Sequence, residues 1–325
     1  LTGSFLSQNF ETRCKLGEGD FGIVHEVQCM SSDTKYAIKI SKVNPLKARN
    51  GLNYSRTNLN EVRAHMSIPP HDNLVRFHRA WKEQGHVYMQ IELCKESLLD
   101  YWKTSTQLTQ KELSIVLHDS LRALSYLALH NFIHLDIKPA NILRTEKGVY
   151  KLADFSVTLD LNKDSSSDDI GSGRYAAPEL FTDKIFSPKA DLFSLAISLF
   201  QVAVPADAPL NDEEWRELKQ GRIPNRAEKA LTGDLGRKVR SMLREFPYRP
   251  SAVELLGRKD IESTLAVLQK HEKKFQNNRL RGRQSMSSAV ERELRGNASP
   301  LVHPQKCGVI FHTDEVFFTM ERPMR

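Results

Sequence analysis

The pattern of apolar residues changes once along this chain, near Cys94, and this change constrains the fold more than any other feature. Before it, short runs rich in β-branched and aromatic residues, such as Val24–Val27 and Tyr36–Ile40, are typical of strands. After it, apolar residues recur at steps of three or four, most clearly between Leu113 and Ala128. This order predicts an α+β protein with two lobes, and ligands favour the cleft between such lobes.

The composition is that of a globular protein without structural disulfides. The 325 residues are 40% hydrophobic, which is enough to bury a sizeable core. The four cysteines have no metal-ligand or redox-motif spacing, which argues against a disulfide framework. No segment reaches the ~18 apolar residues that cross a bilayer, and none has the pattern of a signal peptide. We therefore expect no transmembrane segment in this chain.

The last part of the chain, residues 273–325, is polar and basic and supplies +5 of the net charge of +7. Its composition predicts a largely disordered, solvated tail. Binding to phosphorylated protein or lipid is an alternative, whereas nucleic acid is not favoured, because no aromatic residues are interleaved with the basic ones. Two apolar runs, Val309–Phe311 and Val316–Phe318, could dock on the domain or on a partner. We divide the chain into a leader at 1–9, a domain at 10–272 whose lobes meet near residue 94, and this tail.

A glycine-rich segment, Gly17–Val24 (GEGDFGIV), lies between two predicted strands. Glycines allow a backbone to pass close over phosphates and to donate its N–H groups to them. A hairpin turn or a dinucleotide-binding loop has similar glycines, but a dinucleotide loop leads into a helix, and here a strand follows. Lys39 lies on the next strand, facing the phosphates. Asn44–Thr57 is predicted as a loop, and Glu61, in the helix after it, can pair with Lys39.

The segment His134–Asn141 (HLDIKPAN) contains the strongest chemical signal. Transfer of a phosphoryl group to an alcohol requires a carboxylate for the hydroxyl proton, a cation near the phosphoryl group and oxygen ligands for magnesium. Asp136, Lys138 and Asn141 supply these groups within one short loop. Asp154, in the sequence DFS, supplies a second magnesium ligand. The sequence therefore predicts phosphoryl transfer from ATP to a hydroxyl group.

These motifs, in this order, resemble the eukaryotic protein kinase family over roughly residues 10–270. Within that family the chain resembles the Wee/Myt group of cell-cycle kinases, and the Myt branch more than the others. Four stretches carry this resemblance: Arg79–Trp81, Glu92–Cys94, His134–Ile142 and Glu214–Pro224. The resemblance implies a bilobal α+β fold, with a small β-rich N-lobe that contains one helix and a larger helical C-lobe. It also implies ATP and Mg²⁺ as cofactors.

The resemblance assigns roles to individual residues. The catalytic residues are Asp136, Lys138, Lys39 and Glu61, and the metal ligands are Asn141 and Asp154. The ATP-binding residues are Leu16, Gly17, Glu18, Gly19, Asp20, Phe21, Gly22, Val24, Ala37, Lys39, Ile91, Glu92, Cys94 and Leu143. In this set Val24, Ala37 and Leu143 enclose the adenine, Ile91 limits the rear of the pocket, and Glu92 and Cys94 offer backbone groups. Asp191 braces the catalytic loop.

Two residues depart from the family pattern. Leu135 replaces an arginine that in many kinases holds a phosphate on the activation segment, so activation by such a phosphate is not expected. Ser156 replaces a glycine whose backbone freedom permits a peptide flip. We also expect Arg249 to be the buried partner of Glu179, at the end of the segment that begins at Asp154. That pair would be structural, since losing one member leaves a buried charge.

The resemblance implies inhibitory phosphorylation of a cyclin-dependent kinase–cyclin complex on adjacent Thr and Tyr, in control of G2/M or meiotic entry. Lys138 alone indicates a Ser/Thr kinase, but the Wee/Myt group phosphorylates Tyr, or Tyr and Thr, and keeps this lysine. The resemblance therefore implies dual specificity. The alternatives are a Ser/Thr kinase of another pathway and a pseudokinase scaffold. We expect a monomer, located in the nucleus or cytoplasm, that binds no nucleic acid. The Myt branch is attached to internal membranes by a hydrophobic segment, so an ER or Golgi location through a segment not present here is the alternative.

Overall fold

The fold is described from a computed structural model of the chain. The structure describes residues 3–19, 22–42, 53–105, 107–257, 309–312 and 315–319. The side chains of residues 53–59 and of the last two ranges lie outside this description. So do Asp20 and Phe21, which we predicted to bind ATP, and most of the basic tail. Both lobes and the C-terminal strands belong to one compact unit, Leu1–Leu256 with Val309–Arg325.

An antiparallel sheet forms the N-lobe, as the strand-rich first part of the sequence predicts. Its five strands are β1 (Phe10–Glu18), β2 (Gly22–Cys29), β3 (Lys35–Ser41), β4 (Phe77–Glu83) and β5 (His86–Glu92). They lie in the order β1-β2-β3-β5-β4, so β4 is at one edge of this set. One core cluster consists of Phe10, Val27, Ile38 and Trp81. It fixes the register, because a shift by one residue would move these side chains to the other face.

Two helices contact this sheet. Ser4 caps the N terminus of helix α1 (Phe5–Asn9), and the backbone N–H of Phe5 donates to Oε1 of Glu83 at 2.8 Å. Helix α2 (Asn53–Ser67) begins inside the stretch that we predicted as a loop, so that prediction was wrong over Asn53–Thr57. No Pro or Gly follows Gly51 there, and nothing prevents the helix from extending towards its N terminus.

The C-lobe is helical, as predicted. Its helices are α3 (Leu98–Thr104), α4 (Gln110–Leu129), α5 (Glu179–Thr182), α6 (Lys189–Ala203), α7 (Asp212–Lys219), α8 (Asn225–Ala230), α9 (Gly233–Met242) and α10 (Ala252–Leu255). Helix α6 is buried on nearly all sides, as its apolar composition predicts. Helix α4 begins with a capping box between Thr109 and Glu112, which satisfies two backbone N–H groups. None of the helices in the described ranges is long and apolar enough to cross a membrane.

Short strands fix the loops between the two lobes. They are β6 (Glu96–Ser97), β7 (Phe132–Ile133), β8 (Ile142–Arg144), β9 (Tyr150–Leu152) and β10 (Leu159–Asp160). Strands β6, β8 and β9 form one sheet, and β7 pairs with β10. The segment His134–Asn141 therefore connects β7 to β8, and Asp154 lies two residues after the end of β9. This arrangement brings the two predicted chemical motifs together.

Two C-terminal strands extend the N-lobe sheet. Strands β11 (Val309–His312) and β12 (Glu315–Thr319) form an antiparallel hairpin, and β12 pairs with β4. In this register Phe317 lies opposite Trp81 and Thr319 opposite Arg79. The sequence suggested that these apolar runs dock on the domain or on a partner. The pairing of β12 with β4 shows that the backbone docks on the domain itself. The rest of the tail prediction lies outside the described residues.

Candidate active site

Lys39 lies between two carboxylates in the cleft, and one of these contacts is the pair that the motif order predicts. Its Nζ donates to Oε1 and Oε2 of Glu61 at 2.8 and 2.9 Å, and to Oδ1 of Asp154 at 3.1 Å. These three side chains come from β3, α2 and the turn after β9. Helix α2 therefore lies in the position that joins the strand lysine to the Asp154 segment.

The charges of this group depend on each other because the group is buried. The side chain of Glu61 is only 5% exposed and that of Lys39 14%. Burial favours the neutral amine of Lys39, but the two carboxylates outweigh this effect and raise its pKa. Burial likewise opposes the charge on Asp154, but Lys39 prevails and lowers the pKa of Asp154 to about 2. Lys39 is thus a cation and Asp154 an anion at neutral pH.

The carboxylate of Asp136 is held on several sides. Its Oδ2 accepts hydrogen bonds from Nζ of Lys138 at 2.7 Å and from Nδ2 of Asn141 at 2.9 Å. Burial alone would raise the pKa of Asp136. Lys138 and the backbone N–H of Ser172 lower this pKa by more than burial raises it, so the net shift is downward. The charged carboxylate is therefore fixed in orientation beside a cation.

Ser172 belongs to this site, although the sequence analysis did not identify it. Its backbone N–H donates to Oδ1 of Asp136 at 2.7 Å, and its Oγ accepts from Nζ of Lys138 at 2.8 Å. The segment that leads towards Glu179 therefore contacts the catalytic loop directly. The only signal in the sequence was the position of a serine shortly before Ala177–Glu179, which by itself does not reveal a backbone contact.

Asp191 of helix α6 holds the backbone of the catalytic loop by hydrogen bonds, as the resemblance implied. The carboxylate of Asp191 accepts from the backbone N–H of His134 at 2.7 Å and of Leu135 at 2.9 Å. Leu135 has a positive φ of 64°, a conformation that non-glycine residues rarely adopt. Its side chain is buried. The two N–H bonds therefore hold a strained turn that positions Asp136.

A row of rings connects the lobes behind the site. The ring centroids are 5.2 Å apart for His134 and Phe155, 4.6 Å for Phe155 and His65, and 5.5 Å for His65 and Phe77. These residues come from the catalytic loop, the Asp154 segment, α2 and β4. Burial lowers the pKa of His65 to about 3, so this ring is neutral at physiological pH. The row fixes α2, and hence Glu61, relative to Asp154.

The residues predicted to contact ATP lie around one end of the N-lobe sheet. Val24 pairs with Lys39 across β2 and β3, and Ala37 pairs with Ile91 across β3 and β5. A Cβ atom on Gly22 would lie 2.5 Å from the carbonyl oxygen of Ile40, so only glycine fits at this position. Gly17 and Gly19 have no neighbour within 4 Å of such an atom, which leaves their backbone open.

Other residues predicted to bind ATP lie at or just after the end of β1 and in β8. Leu16 is 44% exposed at the end of β1, and the N–H of Gly19 donates to the carbonyl of Gly22 at 3.0 Å. Glu18 pairs with Lys42 at 2.6 Å. Leu143 lies in β8, opposite Ser97.

The connection between the lobes runs from Glu92 to Lys95. The backbone N–H of Glu92 donates to the carbonyl of Arg76 at 2.8 Å, and its carboxylate accepts from Lys151 at 2.8 Å. Burial raises the pKa of Cys94 to about 12, so its thiol is protonated. The N–H of Glu92 is therefore occupied, and its carbonyl oxygen is the group that could accept a hydrogen bond from adenine.

Asn141 and Asp154 fit a magnesium ion by the chemistry of their donor atoms. Nδ2 of Asn141 donates to the backbone oxygen and to Oδ2 of Asp136, both at 2.9 Å, which leaves the amide oxygen as a ligand. Asp154 is ionised and only one of its oxygens contacts Lys39. Carboxylate and amide oxygens are the ligands that Mg²⁺ prefers. Asp154 has a φ of 64°, and such strained backbone is concentrated at functional sites.

The expected buried pair is present at the end of the activation segment. Nη2 of Arg249 donates to Oε2 of Glu179 at 3.2 Å, and Arg249 is 1% exposed. Arg249 also donates to the carbonyl of Lys189 at 2.9 Å. The pair thus joins the segment to α6 and to the turn before α10, and its function is structural.

Comparison with known proteins agrees with this geometry. The family profile described as "Protein kinase domain" matches residues 10–256. A membrane-associated tyrosine- and threonine-specific cdc2-inhibitory kinase of Drosophila melanogaster is 38% identical over 85% of this chain and 51% of its own length. The relative named wee-1.3 in Caenorhabditis elegans is 34% identical over 81% of this chain and 38% of its own length. The mitosis inhibitor protein kinase wee1 of Schizosaccharomyces pombe is 31% identical over 75% of this chain and 28% of its own length.

The chain thus spans about half, or less, of the length of these relatives. The match nevertheless includes every residue that the structure brings together around Lys39 and Asp136. With its N-lobe sheet, its helical C-lobe and this residue set, the chain belongs to the protein kinase family, within the Wee/Myt group that its sequence motifs resemble.

Proposed function

We propose that this chain transfers the γ-phosphoryl group of ATP to tyrosine and threonine hydroxyls of a cyclin-dependent kinase bound to its cyclin. This modification inhibits the cyclin-dependent kinase and restrains G2/M or meiotic entry. The relatives support this substrate through their names, which describe cdc2-inhibitory and mitosis-inhibiting kinases. We further propose that the chain acts as a monomer and binds no nucleic acid.

One observation carries the chemistry: Asp136 is oriented by Lys138 and Asn141 on one side of the cleft, while Lys39 joins Glu61 and Asp154 on the other. Phosphoryl transfer depends mainly on positioning and on stabilising charge. A binding scaffold needs neither an ionised Asp136 nor a buried lysine between two acids. The pseudokinase alternative therefore has no support from this arrangement.

Each residue has a task in the proposed reaction. Asp136 orients the substrate hydroxyl and accepts its proton. Lys138 places a positive charge beside the group that is transferred, and Lys39, held by Glu61, binds the phosphates of ATP. Asn141 and Asp154 would hold Mg²⁺, which neutralises charge on the β- and γ-phosphates when it is bound.

The N-lobe binds the rest of the nucleotide in this proposal. The backbone of Gly17–Gly22 covers the phosphates, and Val24, Ala37 and Leu143 enclose the adenine. The carbonyl of Glu92 and the backbone of Cys94 meet its polar edge. For location we keep two proposals, the nucleus or cytoplasm and an internal ER or Golgi membrane, which imaging of the tagged full-length protein in cells would distinguish.

The test is phosphoryl transfer with Mg-ATP to a purified, catalytically inactive cyclin-dependent kinase–cyclin complex, with the modified residues identified by mass spectrometry. We expect modification of the adjacent Thr and Tyr in the glycine-rich loop of that kinase. The variant Asp136→Asn should lose transfer by about 10²–10⁴-fold while it still binds ATP. The matched control is Asp183→Asn, because Asp183 is exposed at the end of α5.

Three other outcomes would change the proposal. Transfer to serine, or to other sites, would support a Ser/Thr kinase of another pathway. ATP binding without transfer to this complex or to general substrates would support the pseudokinase. An Asp136→Asn variant as active as the parent would remove Asp136 from the mechanism.

A further inference from the structure

Lys219, the last residue of α7, contacts the backbone of the activation segment. Its Nζ donates to the carbonyl oxygen of Gly173 at 3.1 Å and to that of Ala176. Two carbonyl groups of one short segment therefore share a single ammonium group. Hydrogen bonds to a charged donor are stronger than neutral ones, so this contact fixes the path of the backbone between the two residues.

The charge of Lys219 is not balanced by an ion pair in the part of the chain that the structure describes. The carboxylate of Glu179 is engaged by Arg249, and the centroid of the Phe193 ring lies 5.6 Å from Nζ of the lysine. Burial lowers the pKa of Lys219 to about 8. Burying an ammonium group costs free energy unless other bonds compensate, and here the two carbonyls and the ring provide that compensation.

A second residue of α7 supports the same segment. Trp215 lies one helical turn before Lys219 and therefore on the same face. The guanidinium carbon of Arg174 lies 4.8 Å from the centroid of the Trp215 ring, and the ring of Tyr175 meets it edge-on at 5.6 Å. Tyr175 also donates from its hydroxyl to Gln201 of α6 at 2.7 Å. The segment thus lies on a platform formed by α7 and α6.

Helix α7 is itself firmly anchored at its start. Asn211 and Glu214 form a capping box, and Arg226 donates to both carboxylate oxygens of Glu214, at 2.6 and 2.7 Å. Arg226 also donates to the backbone carbonyls of Ala208 and Pro209. A helix fixed in this way can impose its position on the segment that it contacts.

The other end of the same segment is bound to the catalytic loop. Ser172 contacts Asp136 and Lys138, whereas Lys219 holds Gly173 and Ala176 immediately after it. Ser172 thus lies against the carboxylate that would meet the substrate hydroxyl. Leu135 is buried and uncharged, so it cannot bind a phosphate group on the segment, whereas the contacts of Lys219 need no phosphate.

We infer that Lys219 is a positioning residue that orders Ser172–Ala176 for the protein substrate without phosphorylation of the segment. This inference rests on the kinase activity proposed above. It assigns the ordering function to a lysine of α7 that contacts backbone atoms, in place of a basic residue in the catalytic loop that contacts a phosphate. Lys219 therefore affects the protein substrate and not ATP.

The test compares Lys219→Met, which keeps the length of the side chain but has no donor, with Lys219→Arg, which keeps the charge. The control is Lys229→Met on α8, because Lys229 is exposed. All proteins are first treated with phosphatase. For each we would measure the KM for the protein substrate, the KM for ATP, and hydrogen exchange of the peptide containing residues 172–176.

We expect Lys219→Met to raise the KM for the protein substrate by about tenfold, with little change in the KM for ATP, and to accelerate exchange in residues 172–176. Lys219→Arg should restore both values, and the control should match the parent. Unchanged exchange and unchanged KM in Lys219→Met would overturn the inference, as would a parent that phosphatase inactivates. If Lys219→Met does not fold, Lys219→Gln allows the same comparison. If the unmodified protein transfers no phosphate, the proposed function is contradicted. The hydrogen exchange of residues 172–176 in Lys219→Met then decides by itself whether Lys219 orders this segment.

Discussion

Gly171 lies directly against the carboxyl group of Asp136. A Cβ atom added to Gly171 would lie 2.5 Å from Oδ1 of Asp136 and 2.6 Å from its Cγ. Such distances are well below van der Waals contact, and Asp136 is held by Lys138 and Asn141. The carboxylate therefore cannot move away without losing those hydrogen bonds, and the activation segment would have to shift instead.

We therefore expect Gly171→Ala to reduce phosphoryl transfer by about 100-fold, which is the usual effect of a displacement near 1 Å in a catalytic group. ATP affinity should be unchanged, because the atoms nearest to the added Cβ all belong to Asp136, which is not one of the residues predicted to bind ATP. The control is Gly173→Ala, where the nearest atom to the added Cβ is Cζ of Phe181 at 4.0 Å. Steady-state kinetics and ATP titration of both variants test this prediction, and equal activity in the two would contradict it.

Lys39 and Lys42 both form short ion pairs, but we expect very different effects when each is replaced by methionine. Nζ of Lys42 is 2.6 Å from Glu18, whose side chain is 40% exposed, whereas Lys39 contacts Glu61, which is 5% exposed. Lys39→Met leaves the buried Glu61 without its cation, and such a loss costs about 3–5 kcal/mol. Lys42→Met should change the free energy of unfolding much less, because solvent screens this exposed pair.

Urea unfolding of both variants, with and without nucleotide, measures this difference. If the two variants lost the same stability, burial would not determine the strength of the Lys39–Glu61 pair. Activity is not a suitable measurement here, because Lys39 is expected to bind phosphate as well.

The contacts that depend on residue type and motif order could be predicted from the sequence. The Lys39–Glu61 contact and the Glu179–Arg249 pair are examples, because a buried charge requires a partner and the motifs limit the candidates. The two-lobe division also followed from the change of apolar period. These features depend on side-chain chemistry, which the sequence states directly.

Contacts made through the backbone could not be predicted in this way. Ser172 acts through its N–H group, which every residue except proline has, so nothing in the sequence distinguishes it. Lys219 binds two carbonyl groups whose positions depend on how α7 packs against the segment. The pairing of β12 with β4 also depends on a long-range register. In each case the tertiary fold, and not the local pattern, determines the contact.

The burial of His65 predicts a dependence of stability on pH. Its pKa is about 3 in the folded chain, against about 6.5 for an exposed histidine. Below pH 6.5 the unfolded chain binds a proton that the folded chain does not, so stability falls as the pH falls towards 3. Between pH 7 and pH 5 this histidine should cost the protein about 2 kcal/mol.

The variant His65→Leu cannot titrate, so we expect it to lose about 2 kcal/mol less stability than the parent over that pH range. Met66→Leu is the control, because it changes the packing of the same helix without removing an ionisable group. Urea unfolding at pH 7, 6 and 5 provides the measurement. Identical pH dependence in His65→Leu and the parent would show that His65 is protonated in the folded chain or plays no part in acid unfolding.

The strand pairing between β12 and β4 predicts the effect of removing the C-terminal residues 309–325. Strand β4 pairs with β5 on one side and with β12 on the other, where Phe317 and Thr319 lie opposite Trp81 and Arg79. Removing β12 would convert β4 into an exposed edge with unpaired N–H and C=O groups. We expect faster hydrogen exchange in the peptide that contains β4 and no change in the peptide that contains β2, which keeps both of its neighbours.

The same truncation should promote self-association, since a free edge offers a template for another strand. Hydrogen-exchange mass spectrometry and light scattering of the shortened and full chains measure both effects, and unchanged exchange in β4 would mean that β12 does not protect this edge in solution.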